Sequence, residues 1–229
     1  MSNDLYTYYS NPISSSLPNI SHISIKHLPI KRTFDLLFSF LMLTLLLPVF
    51  LIIILFICIS SKGSPVYSHE RIGRGGKPFR CYKFRSMHAD ADSRLQELLN
   101  SNPKLKKEWE TSRKLKNDPR VTSIGSFLRK TSLDELPQFW NVLKGDLSVV
   151  GPRPVVKEEI EKFYGRKATK ILSIRPGLTG IWQTSGRNDT SYTNRVQMDE
   201  KYVDNHSILL DITLIAKTIP SMISSKGAY

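Results

Sequence analysis

Residues 34–59 are almost wholly apolar, with Asp35 the single charge, and a run of that length can cross a hydrocarbon core of roughly 30 Å as a helix. No other feature of the chain restricts its fold as much, because residues of this kind belong in a bilayer. Pro48 lies near the middle, after Leu45, Leu46 and Leu47, where it removes a helical hydrogen bond and forces a kink. Both flanks are basic. Lys26, Lys31 and Arg32 precede the run, while Lys62, Arg71, Arg74, Lys77 and Arg80 follow it, so by the positive-inside rule both ends prefer the cytoplasm. Two readings stand at this point: one kinked transmembrane helix, or a re-entrant helix-break-helix that enters one leaflet and returns.

The remainder is large enough for one compact domain of ordinary size, since the chain has 229 residues. Its net charge of +13 calls for a polyanionic partner: nucleic acid, an anionic membrane or a phosphorylated substrate. Charge alone does not choose among these. Cys58 lies inside the apolar run and Cys81 beside Lys83 and Arg85, so neither a disulfide framework nor a zinc site is expected, and a reducing compartment is. The N-terminus lacks the basic, apolar and small-residue order of a cleaved signal peptide. Residues 1–30, rich in Ser, Asn, Tyr and Pro and without periodicity, read as a flexible arm.

After the apolar run, alternation around Phe79, Cys81, Tyr82 and Phe84 predicts a strand pair joined by the glycine-rich turn at 73–76. That turn, with Arg71, Arg74 and Lys77, could cradle phosphate, but Gly-Arg-Gly-Gly is no Walker or dinucleotide fingerprint and a plain hairpin turn is the preferred reading. Lys83 and Arg85, two residues apart, are expected on one strand face, where they form either a solvated edge or a clamp on an anion. Leu95, Leu98, Leu99, Leu105 and Trp109 have helical spacing interrupted by Pro103, which predicts two short amphipathic helices or one kinked one. Trp109 suits a membrane interface or a core contact. A turn is expected at 117–121, a helix over 127–130 and a surface helix over 155–172. A tight turn into a short strand is expected at 174–183, and another turn at Gly186-Arg187-Asn188. Apolar residues at 208, 212, 215 and 219 mark a last helix face that lies on the bilayer or packs on the core.

The chemistry concentrates at 129–154, where Asp134 and Glu135 follow Arg129 and precede a turn-rich segment with Arg153 between two prolines. Two adjacent carboxylates repel and stay ionised together only near a cation, a helix N-terminus or a metal-bound phosphate. Thr131, Ser132 or Asp134 could cap a helix here, Ser132 to Glu135 has capping-box spacing, and Pro137 argues for the later start. A capped surface helix is the plain structural reading; a carboxylate set among phosphate-binding groups is the functional one.

These pieces together resemble the bacterial sugar transferases, membrane-bound polyprenyl-phosphate phosphoglycosyl transferases. The resemblance rests on Lys-Arg-Thr-Phe-Asp at 31–35, Lys-Phe-Arg-Ser-Met at 83–87, Leu-Arg-Lys-Thr-Ser-Leu-Asp-Glu-Leu-Pro-Gln at 128–138, Val-Gly-Pro-Arg-Pro at 150–154, Arg-Pro-Gly-Leu-Thr-Gly at 175–180 and Gly-Arg-Asn at 186–188. It implies a small, mixed, helix-rich α/β fold: a re-entrant membrane helix over 31–61 broken at Pro48, a cytoplasmic catalytic domain over 62–229, and interfacial amphipathic helices.

It further implies that Asp134 attacks the β-phosphate of a UDP-sugar, that UMP leaves, and that the phosphosugar passes to undecaprenyl phosphate at the cytoplasmic face of the bacterial inner membrane. Glu135 is then the acidic partner, Asp134 and Glu135 hold Mg²⁺, and Lys83, Arg85, Arg129, Arg153 and Arg175 bind phosphate or nucleotide. Neutralisation of spread negative charge is what phosphoryl transfer asks of such residues. The expected product enters capsule, O-antigen or exopolysaccharide synthesis. Gly-Arg-Asn-Asp-Thr-Ser-Tyr and the ending Gly-Ala-Tyr resemble the hexose branch, galactose or glucose, and residues 1–30 are too short for the further helices and soluble domain that many relatives carry. No nucleic-acid partner is expected, and homo-oligomerisation is left open.

A non-catalytic basic module that gathers polyanions at a membrane is the alternative from another class, but it leaves Asp134 and Glu135 beside Arg129 unexplained. A glycosidase would need two carboxylates facing across a sugar, whereas adjacent helical residues point about 100° apart.

Overall fold

A computed structural model describes residues 26, 28–112, 115, 118–185 and 190–223. The apolar run forms two helices, α1 (Pro29–Leu45) and α2 (Leu47–Ser60), bent by 60° where they meet. Pro48 has no N–H to offer the carbonyl one turn back, so the ladder lapses there. It ends with the Leu46 N–H on the Met42 carbonyl at 2.9 Å and resumes with the Phe50 N–H on the Leu46 carbonyl at 2.9 Å. Among the described residues no single helix is long and apolar enough to cross a membrane; the bent pair together has the length and composition.

Both ends of the pair are fastened to the same globular body. At the entry, the Lys26 N–H donates to the Ser173 carbonyl at 3.0 Å, and the Arg32 guanidinium donates to the Val142 and Leu143 carbonyls at 2.7 and 3.0 Å. At the exit, Arg85 Nη2 donates to the Ser61 carbonyl at 2.6 Å. The inner side of α1 carries buried Lys31, Asp35 and Ser39, while Leu37, Phe40, Leu41, Leu45, Leu51, Leu55 and Ile59 point outward and are exposed.

Beyond α2 the chain forms the antiparallel ribbon β1 (Val66–Ile72) and β2 (Pro78–Phe84), with Val66 opposite Phe84 and Ile72 opposite Pro78. Its turn needs glycine, because Gly75 and Gly76 take φ of 71° and 74°. The two short helices expected around Pro103 are present as α3 (Ala91–Ser101) and α4 (Pro103–Ser112). Trp109 lies under the Arg120 guanidinium, 5.1 Å from its ring centroid. Then come α5 (Ser123–Thr131), capped by Thr122 Oγ1 accepting the Gly125 N–H at 2.9 Å, and α6 (Gln138–Lys144), closed by Gly145 at φ 94°.

A second strand pair, β3 (Ser148–Val150) and β4 (Gly177–Thr179), is parallel and buried. The backbones of Gly151 and Gly177 approach so closely that a Cβ on Gly177 would meet the Gly151 nitrogen at 2.0 Å. Between these strands the continuous surface helix expected over 155–172 is not found. The segment divides into α7 (Lys157–Glu159), running into a π-helical turn (Ile160–Tyr164), and α8 (Lys167–Ile171), because Gly165 turns the backbone to φ 49°. Its inner side, Val155, Ile160, Tyr164, Ala168 and Ile171, joins Val196 in a core cluster and is not a solvated face.

Two long helices finish the described chain: α9 (Tyr192–Asn205) and α10 (Ile208–Ile223). The face expected on α10 splits: Ile215 packs against the core, whereas Ile212 and Ile219 point outward with Leu209 beside them, 51, 60 and 76% exposed. Off that face, Leu214 and Asp211 are buried, and Asp211 is inside because it has a partner at the base of α1. Lys31 Nζ lies 2.6 Å from its Oδ2, Tyr202 OH donates to its Oδ1 at 2.6 Å, and Asp35 beside them accepts the Val149 N–H at 3.0 Å. The main core, Val142, Leu147, Val149, Val150, Ile174, Tyr202, Val203 and Leu214, closes around this network. The fold is thus mixed and helix-rich, with two short strand pairs.

Candidate active site

Helix α2 sets the site. Ile53 and Ile57 of α2 bury themselves against Phe84, Leu128 and Leu136, each of which adjoins a residue with chemistry to do: Lys83, Arg129 and Glu135. Burying each of these side chains is worth about 1.5–3 kcal/mol, so α2 and the site elements are held as one unit.

The acidic pair does not open a capped helix, as its spacing predicts. α5 runs on through Thr131, and Ser132 then takes left-handed backbone at φ 56°, the one non-glycine residue to do so among those described. Asp134 and Glu135 follow on a single 3₁₀ turn (Leu133–Glu135), and α6 starts only after Pro137. No Ser132 side-chain cap forms. A serine held at positive φ costs about 1–3 kcal/mol and persists where packing over-determines it; here buried Leu128 and Leu136 flank the turn and fix it.

Lys83, near the end of β2, reaches the pair from across the cleft. Its Nζ donates to Glu135 Oε1 at 2.6 Å and lies 3.7 Å from Asp134 Oδ2. Burial pushes the Asp134 carboxyl up to about 6, against the pull of Lys83, and the neighbouring Glu135 adds to the rise. Burial works on Glu135 in the same sense, but Lys83, Arg153 and Arg71 outweigh it and hold that carboxyl below its usual range. Glu135 therefore keeps the charge and the hydrogen bond from the lysine, while Asp134 lies beside them, poorly solvated and ion-paired with the same lysine at the longer distance of 3.7 Å. A carboxylate so placed has the chemistry to act as a nucleophile.

A shallow cleft beside the pair is lined by Arg71, Cys81, Lys83, Glu135, Gln138, Arg153, Pro154, Gly177 and Leu178. Arg153 and Pro154 thus stand at the cleft, with the Arg153 guanidinium 5.4 Å from the centroid of Trp182. Arg129 stands behind Asp134, its Nε donating to Ser86 Oγ at 2.9 Å and its charge acting on the Asp134 carboxylate.

Two residues expected at the site are placed elsewhere. Arg85 lies beyond the end of β2 and donates to Ser61, so it fastens the end of α2 and does not pair with Lys83 in a clamp. Arg175 Nε donates to the Gly145 carbonyl at 2.8 Å, at the far end of α6. Pro48 sits at the bend. Gly186-Arg187-Asn188 and nearly all of residues 1–30 lie outside the described residues.

Of the turn cations that the sequence offered as a phosphate cradle, Arg71 lines the cleft, whereas Arg74 and Lys77 do not. The register that pairs Tyr67 with Lys83, His69 with Cys81 and Arg71 with Phe79 puts Arg71, Cys81 and Lys83 on one face of the ribbon. The signal was the turn's centre, and an error of one residue there sends Arg71 to the opposite face.

Among the described residues no group of three or more His, Cys, Asp or Glu is placed to hold a metal. Mg²⁺ takes one or two carboxylates and completes its six ligands with substrate phosphates and water, so Asp134 and Glu135 are a donor set of suitable chemistry.

Residues 26–225 match the family model described as bacterial sugar transferase. The chain belongs to that family. The exopolysaccharide production protein ExoY of Sinorhizobium fredii is 51% identical over 199 residues, 87% of this chain and 88% of its own. The UDP-galactose-lipid carrier transferase of Erwinia amylovora is 50% identical over 87% of this chain, and the undecaprenyl-phosphate galactose phosphotransferase of Salmonella typhimurium is 49% identical over the same share. The match spans 42% of the length of each of these two larger proteins. For this bacterial sugar transferase, the match takes in α1, α2, the ribbon and every residue named at the cleft.

Proposed function

We propose that this bacterial sugar transferase moves a hexose 1-phosphate, from UDP-galactose or UDP-glucose, to undecaprenyl phosphate as the first membrane step of surface polysaccharide synthesis. The observation that carries the reading is an acidic pair beside a cationic cleft: Glu135 lines the cleft with Lys83, Arg71 and Arg153, and Asp134, next to it, lies 3.7 Å from the Lys83 ammonium. A polyanion scaffold has no use for two acids beside its binding surface. The names of the galactose-transferring relatives favour the hexose.

In the first half-reaction an Asp134 carboxylate oxygen bonds to the β-phosphorus as the bond from that phosphorus to the bridging oxygen breaks; the electron pair stays on the oxygen and UMP departs. In the second, a phosphate oxygen of undecaprenyl phosphate attacks the same phosphorus and the Asp134 carboxylate is released. No proton need move in either step. Lys83 and Arg129 neutralise the phosphoryl group in flight, and exclusion of water by the buried turn strengthens both attractions. Mg²⁺, held by Asp134 and Glu135 together with the substrate phosphates, would supply further charge neutralisation.

The same reading makes residues 31–61 a re-entrant anchor on the cytoplasmic face of the inner membrane. It is supported by the fastening of both ends of the bent pair to one body, whereas a spanning helix would set its ends about 30 Å apart. The outward stripe of α10, with exposed Phe127 and Trp140, supports helices lying at the interface.

The test is incubation of purified protein with UDP-galactose or UDP-glucose and undecaprenyl phosphate, following UMP. Release that requires both an active-site carboxylate and the nucleotide sugar is expected; tight binding of UDP-sugars with no UMP at any acceptor concentration would restore the scaffold.

A further inference from the structure

The ribbon of β1 and β2 has two strands, and a two-stranded ribbon alone is marginally stable in water. Among the described residues no third strand pairs with the free edge of β2; a side chain of α6 takes its place. Asn141 is fully buried, and its Oδ1 accepts the Tyr82 N–H at 3.0 Å while its Nδ2 donates to the Arg80 carbonyl at 2.7 Å. These are the two bonds that one residue of a parallel neighbouring strand would make. The second N–H of the amide goes to Asp146 Oδ2 at 3.0 Å, so the amide cannot turn over without setting like groups against one another. Asp146 is held in turn by Lys144 Nζ at 3.2 Å, and the same ammonium lies 5.4 Å from the centroid of the Tyr82 ring.

This lock sits where the distance between the acidic pair and its lysine is set. Lys83 follows Tyr82 directly, and Asn141 stands on α6, which begins just after the 3₁₀ turn bearing Asp134 and Glu135. The contact of Lys83 with Glu135 at 2.6 Å therefore closes a ring whose other junction is the Asn141 amide. Beyond Lys83 the chain is pinned again, since the Ser86 carbonyl accepts the Thr122 N–H at 3.1 Å and Ser86 Oγ accepts Arg129 Nε at 2.9 Å. We infer that Asn141, oriented by Asp146, is a positioning residue for the transfer: it fixes the strand of Lys83 against the acidic pair. The inference rests on the transfer proposed above, in which Lys83 neutralises the phosphoryl group. A lysine on a flexible four-carbon stem does so only from a fixed backbone, and a displacement of about 1 Å can cost much of a rate.

A residue that acts through Lys83 matters to the rate only while Lys83 is there, and a double-mutant cycle reads that dependence. Asn141→Ala should lower kcat/KM for the UDP-sugar by about tenfold in the wild-type background and by less than about twofold in a Lys83→Ala background, while the thermal midpoint falls in both. A role confined to folding removes the same fraction of active protein from each background. Equal losses would therefore overturn the inference, as would an unaltered rate in Asn141→Ala beside a wild-type protein that turns over. Asp146→Ala frees the amide but leaves both of its bonds to the strand, so it should cost about two- to tenfold, again only where Lys83 is present. That variant decides the matter if Asn141→Ala does not fold: a cost equal in both backgrounds, or no cost, overturns the inference. Wild-type protein that releases no UMP overturns the transfer reading, and this inference with it.

Discussion

Two clusters in this molecule are built from the same parts, a lysine between two acids, and are finished differently. At the base of α1 Lys31 lies 2.6 Å from Asp211 and 3.8 Å from Asp35, with side chains only 10, 1 and 2% exposed. Its acids also accept from the Tyr202 hydroxyl and the Val149 N–H, so the charges are paired and bonded within the protein. At the cleft Lys83 lies 2.6 Å from Glu135 and 3.7 Å from Asp134, but these side chains are 27, 27 and 12% exposed, and Arg71 and Arg153 stand alongside. The first cluster is complete and joins α1, β3 and α10. The second has cations to spare, with Arg71 and Arg153 beside the lysine, and is more exposed. Burial and the number of cations, not residue type, separate a structural ion pair from a reactive one.

The largest expected effect falls on the open cluster. Asp134→Asn keeps size and removes the nucleophilic charge, so UMP release should fall by about a thousandfold or more, with the protein folded and membrane-bound. Residual turnover of a tenth would mean that Asp134 only helps bind.

Next is the closed cluster. Lys31→Met strands Asp211 and Asp35 without a counter-charge, and breaking a buried pair in this way costs about 3–5 kcal/mol. The thermal midpoint in detergent should drop, while the folded fraction keeps its KM for UDP-sugar. An unchanged midpoint combined with a raised KM would erase the distinction between the two clusters.

Lys83→Ala should cost about tenfold to a hundredfold in rate and little in stability, the reverse of Lys31→Met. The smallest effect is in the pH profile. Asp134 attacks only as the carboxylate, so kcat/KM for UDP-sugar in the wild type should decline as pH falls through about 6, by roughly tenfold per pH unit below that. Lys83 lowers both carboxyls, so Lys83→Ala should move the decline to higher pH. A limb that stays in place would put Lys83 out of reach of Asp134.

What was legible in the sequence was local. Pro48 announces its bend because a missing N–H acts at one point in a helix, and Pro103 and the glycine turn mark their elements in the same way. Asp134 and Glu135 were legible as a motif but not in their conformation, because the left-handed Ser132 is imposed by packing that comes from α2, far back in the chain. Arg85 and Arg175 carried the right charge for a phosphate site, yet each answers an orphan carbonyl at a helix end instead, Ser61 or Gly145. The partnership of Lys31 with Asp211 joins residues 180 positions apart, and no periodicity within α10 reports it. Arg71 depended on a register that composition leaves uncertain by one residue.

The central claim is that Asp134 itself carries the phosphosugar. Protein held with UDP-sugar and no acceptor, then digested and examined by mass spectrometry, should yield a peptide containing Asp134 heavier by one phosphohexose, with UMP released in equal amount and no such peptide from Asp134→Asn. An unmodified Asp134 peptide, with UMP appearing only once undecaprenyl phosphate is added, would mean direct transfer between two bound substrates and would contradict the account.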